Sequence, residues 1–133
     1  MSSEPEAIVD AYLAGLAEGL GETRRVAPGE WGVSLEAAGW PLHVGVAIRD
    51  GLLRAQGEVV GPGRLDPDTL LHWNRGLPLV RFTQTGAGAV WVEGDLPLAA
   101  VSSDQLDRFL GLLVRVATEA REAARPGAER RPR

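Results

Sequence analysis

The chain has no cysteine. Disulfides, thiolate nucleophiles and cysteine-ligated zinc or iron–sulfur sites are therefore excluded. It also has no lysine: all 14 basic residues are arginine. That removes the Walker-type phosphate loop, the Schiff base and the lysine general base. Two histidines, His43 and His72, are the whole supply of imidazole for acid–base work. Long apolar runs are missing as well. The longest, Phe109 to Val114, is far too short to span a bilayer, and Met1-Ser2-Ser3-Glu4 carries no cationic leader. A cytoplasmic location without membrane contact is expected.

What remains is ordinary globular material. At 133 residues, with 44% hydrophobic and 24% charged, the chain fits a single soluble domain. Its net charge of -4 is uneven. The body up to Ala120 is acidic and the segment from Arg121 to Arg133 is basic, with five arginines against two glutamates. An acidic body is a poor partner for a phosphate backbone, so nucleic acid is not expected. Residues 1–124 read as one domain. Residues 125–133 have no large apolar side chain and read as a disordered arginine-rich tail.

The periodicity changes several times along the chain. Ser3-Glu4-Pro5-Glu6 opens a helix as a capping box, followed by a 3.6-residue stripe of Ile8, Val9, Tyr12, Leu13, Leu16 and Leu20. Gly19 and Gly21 end it. Trp31, Val33 and Leu35 then alternate with polar or small residues, as do Leu42, Val44, Val46 and Ile48. Asp50-Gly51 is a hairpin turn into a third strand bearing Leu53, Ala55, Gly57 and Val59 on one face. Asp66-Pro67-Asp68 starts a short helix with Leu70, Leu71 and Trp73. Two more strands follow, with Val80 and Phe82 on one face, then Val90 and Val92. Ser102-Ser103-Asp104-Gln105 caps the longest helix, whose buried stripe is Leu106, Phe109, Leu110, Leu113, Val116, Ala117 and Ala120.

The order is α-β-β-β-α-β-β-α. It predicts an α+β fold with a five-stranded, mainly antiparallel sheet and both terminal helices on one face. By alternation Trp91 points to the second face, beside Arg81. A large indole there needs a cover, supplied by the short helix or by a second subunit. Trp and Arg are favoured at interfaces. Leu70, Leu71, Trp73, Arg81 and Trp91 are thus the expected dimer or partner interface.

No chemical signature appears. His43 lies on the polar face of a strand without a serine motif, and His72 sits near a helix C-terminus, where the dipole favours it. A metal site joining them to Asp66 or Asp68 lacks any close-spaced His pair. Gly86-Ala87-Gly88 joins two strands, where a dinucleotide fingerprint would open a helix. Glu93 and Asp95 fall at a strand end as a solvated pair. No catalytic residue, metal or cofactor is expected.

The stretch from Leu70 to Leu113 resembles the YbjN family, which shares its fold with type III secretion chaperones. It holds a short helix ending in Asn74, a strand with Phe82 and a Gly-turn. The strand Val90-Trp91-Val92-Glu93, Leu96-Pro97-Leu98 and the Ser102-to-Leu106 helix entry complete it. The likeness in element order extends over about residues 4 to 124. It implies a small acidic cytoplasmic protein, commonly homodimeric, described as chaperone-like or as a sensory-transduction regulator, and it brings no active-site residues. The expected function is a non-enzymatic protein-binding module acting as a homodimer on an unknown client. The alternative is a small-molecule-sensing domain with its pocket between sheet and helices.

Overall fold

The structure, a computed structural model, describes residues 3–17 and 21–126. Helix α1 (Glu4–Ala17) leads into strands β1 (Glu22–Ala27), β2 (Glu30–Ala37), β3 (Trp40–Arg49) and β4 (Leu52–Val60). Helix α2 (Pro67–Asn74), strands β5 (Val80–Gln84) and β6 (Val90–Pro97), a single 3-10 turn (Leu98–Ala100) and helix α3 (Ser103–Ala123) complete the chain. The fold is α+β, and its sheet is antiparallel, in the order β1-β2-β3-β4-β6-β5.

The sheet therefore has six strands where the sequence predicts five. The extra strand, β1, carries Glu22, Arg24 and Arg25, so it shows no apolar alternation to be read. Both ends of the α1 pattern differ from each other in outcome. Ser3 Oγ accepts from the Glu6 amide as the capping box requires. The helix is described as far as Ala17, and Gly19 and Leu20 lie outside the described residues.

One sheet face is covered and one is not. Trp31, Val33, Leu42, Val44, Val46, Leu53, Ala55, Val59, Val90 and Val92 are all buried beneath α1 and α3. Every residue of the predicted α3 stripe is buried too. Gly94 explains how closely α3 sits: a Cβ there would lie 2.6 Å from Phe109 and from the Leu79 carbonyl. The hairpin turns follow the sequence. Asp50 and Gly51 both have positive φ, as a type I′ turn demands, and so do Ala38 and Gly39 between β2 and β3.

Candidate protein-binding site

Helix α2 forms at the margin of the sheet for local reasons. Asp66 accepts from the Asp68 amide, and Pro67 occupies the first helical position without loss of a hydrogen bond. Leu70 turns into the core, while Trp73 packs on Phe82 of β5, ring centroids 5.7 Å apart. Asn74 then fixes the helix to the strand. Its side-chain amide donates to the Phe82 carbonyl at 3.0 Å and its oxygen accepts from the Phe82 N–H at 2.8 Å.

Between α2, β5 and α3 this leaves an open cleft of about 470 Å³. Trp73, Leu77, Phe82, Val116 and Ala120 give it an apolar floor, and His72, Arg75 and Glu119 bring polar groups to it. Leu71 stands one helical turn before Arg75 and is 66% exposed, the most exposed large hydrophobic among the described residues. Such a surface takes an apolar side chain from a partner, with polar groups near enough to orient its backbone.

The expected interface residues do not form one patch. Leu70 is core. Trp73 lies on the helix-covered face, because Phe82 pairs with Val92 and shares its side of the sheet. Arg81 and Trp91 lie on the opposite face. Helix α2 thus does not cover Trp91, and of its apolar side chains Trp73 lines the cleft.

The uncovered face is polar. Arg81 donates to Glu93 at 3.0 Å and Asp95 at 3.2 Å, and Arg54 lies 3.4 Å from Asp95. Glu93 and Asp95, the pair read as a solvated rim, are thus held by arginines. Trp91 stands half-buried beside this ladder. Ser34 Oγ and His43 Nδ1 share a hydrogen bond of 2.9 Å, a pairing that alternation alone does not bring out. Both sit on an open strand face, where neighbouring amides are already engaged in the sheet. A serine nucleophile needs aligned oxyanion donors as well as a base. His72 lies at the cleft, so the two histidines do not meet.

Two further residues escape the sequence reading. Arg121, counted there with the basic tail, is 3% exposed. All five of its N–H groups go to backbone carbonyls, those of Ala37, Trp40, Pro41, Glu58 and Val59. Burial pushes its pKa down, and the Glu58 charge acts in the opposite sense. Tyr12 donates to Asp107 at 3.0 Å and joins α1 to α3. Burial, then the hydrogen bond and charge of Asp107, push its phenol from 10.0 up to about 12. Arg125, at the head of the expected tail, donates to the Ala38 carbonyl. Residues from 127 on lie outside the described part.

This architecture is similar to that of two solved chaperones, one of them a type III secretion chaperone. The Yersinia pestis chaperone SycH, solved in complex with a stable fragment of YscM2, superposes with a TM-score of 0.61 at 16% identity over 87% of this chain and 98% of that one. The chaperone SchA, from the HopA1-SchA chaperone-effector complex, gives 0.65 at 14% identity over 88% and 92%. Residues 63–126 match the YbjN family, whose description is "putative bacterial sensory transduction regulator". That match spans α2, the cleft and all of α3. No curated protein matches the chain.

Proposed function

We propose that this chain is a non-enzymatic, chaperone-like module of the cytoplasm that works as a homodimer and binds a segment of another protein. The observation that carries this reading is the cleft between α2 and α3, with Leu71 exposed on the same helix α2. An apolar groove at the margin of a sheet takes an extended or helical segment by inserting one or two side chains. Leu71 and Trp73 are the contacts of the expected interface that this role retains. The similar chaperones were solved with other proteins bound, which supports a protein as the occupant.

A second reading draws on the same cleft. Its volume falls within the ~300–1,000 Å³ of small-ligand sites, and the matched family's description names sensory transduction. An open groove with an exposed leucine on one of its helices suits a peptide better than a ligand that must be enclosed.

The test is Leu71→Glu. The side chain is exposed, so stability should change by no more than about 0.5 kcal/mol. Wild-type protein should retain a defined polypeptide from native lysate, and the variant should lose it. Equal retention by both would overturn the assignment of the cleft.

A further inference from the structure

The strands carry glycines of two kinds. At Gly57 and Gly94 a Cβ would lie 2.9 Å from the His43 carbonyl and 2.6 Å from the Leu79 carbonyl, so close packing requires both. Gly32 and Gly45 have no such reason. Neither has a positive φ, and nothing lies within 4 Å of a Cβ at Gly45. At Gly32 the nearest atom, 3.3 Å away, is Nε of the flexible Arg24 side chain. Glycine weakens the interior of a strand and often marks the close approach of another molecule. These two pair directly with each other across β2 and β3. Their chain neighbours Trp31, Val33, Val44 and Val46 are buried, so alternation leaves bare backbone at both positions on the uncovered face. The bare pair floors an open recess of about 540 Å³. Arg24 of β1 stands opposite Gly32, and Glu22 opposite Ser34. Neither charge has an ion-pair partner among the described residues. The Ser34–His43 hydrogen bond fixes the imidazole at the border of the floor, and Val26, 58% exposed, adds an apolar edge.

We propose that this recess binds a small zwitterion with a flat apolar body, the chemistry of an aromatic α-amino acid. The two free charges select it. Glu22 and Arg24 lie two residues apart on one strand face, about 7 Å along the strand. A ligand that is only an anion would meet Glu22 as a like charge, and one that is only a cation would meet Arg24 so. A zwitterion satisfies both: its carboxylate accepts from the Arg24 guanidinium, and its ammonium donates to the Glu22 carboxylate. The ring then lies on the peptide planes of Gly32 and Gly45, in the space that a side chain at either position would fill. The volume is within the ~300–1,000 Å³ of small-ligand sites. The recess is on the other face of the sheet from the α2–α3 cleft, so the protein-binding reading stands or falls without it.

Heteronuclear amide NMR on the full chain tests this with three probes: L-phenylalanine, phenylacetate and phenethylamine. L-Phenylalanine should shift the Gly32 and Gly45 amides saturably, with a Kd on the order of 1 mM for so open a site. Phenylacetate lacks the ammonium and phenethylamine lacks the carboxylate, so each should bind at least ~10-fold more weakly. Arg24→Gln and Glu22→Gln should each weaken L-phenylalanine by a similar factor. Gly45→Val should abolish binding and leave the thermal unfolding midpoint unchanged or raised, because valine suits a strand and nothing crowds its Cβ. No saturable shift by ~10 mM probe would overturn the proposal. So would equal binding of the three probes, charge variants that bind as wild type does, or a Gly45→Val form that binds normally or unfolds several degrees lower.

Discussion

The Arg121 guanidinium lies 3.5 Å from the centre of the Trp40 ring, closing one side of a pocket whose wall is five backbone carbonyls. Trp40 is 47% exposed, yet its inner face is occupied by this cation. The contact ties the last turn of α3 to the β2–β3 turn and to the end of β4. It holds helix and sheet at one spacing, on which the shape of the α2–α3 cleft depends.

Arg121→Met should therefore be costly. It leaves five carbonyls without their donors, and losses of ~3–5 kcal/mol are usual when one side of a buried charged network is removed. Arg121→Lys should recover little, since an ammonium cannot reproduce the planar fork. Urea unfolding measures this, and a loss under about 1 kcal/mol would contradict it.

Asn74 should matter for solubility as well as stability. Asn74→Ala strips both hydrogen bonds from Phe82 and opens the β5 edge. A loss of about 1–2 kcal/mol is expected. New concentration-dependent association should follow, because an open edge is a template for further strands. Thermal unfolding and light scattering report the two effects separately.

Tyr12 is the only tyrosine, so phenolate absorbance follows it alone. The folded protein holds the neutral phenol, which raises its pKa to about 12 from 10.0. The stabilising contribution is complete below about pH 10 and is lost as pH rises through about 12. The titration midpoint should lie near 12 in the native protein and move down in Asp107→Asn. A native midpoint at the ordinary value would contradict the Tyr12–Asp107 bond.

The Ser34–His43 pair should be chemically silent. A screen for esterase, phosphatase and nuclease activity with divalent cations should find no turnover, since the pair lacks an oxyanion site. Reproducible turnover abolished by His43→Ala would contradict the non-enzymatic reading.

The sequence was most informative where burial and local backbone chemistry agree. The Asp50-Gly51 turn, the Ser102 and Asp66 caps and the α3 stripe all stand where the pattern puts them. Strand β1 was illegible because an edge strand has little to bury, and Glu22-Thr23-Arg24-Arg25 carries no alternation. Arg121 was misread by composition, although Ala117, Ala120, Arg121 and Ala124 place it on the buried side of α3. The candidate site was half legible. The apolar excess of α2 was plain, but which sheet face it joins depends on the chain's path around the β5 edge, and no local rule encodes that path.

The central claim, that α2 and the cleft beside it receive another protein, is tested most directly by site-specific photocrosslinking in cells. A photoreactive residue replaces Leu71 in one form and Arg54, on the uncovered face, in another. The account predicts that the probe at position 71 captures a discrete polypeptide and that the probe at position 54 does not. No product from position 71, or the same products from both, would contradict it.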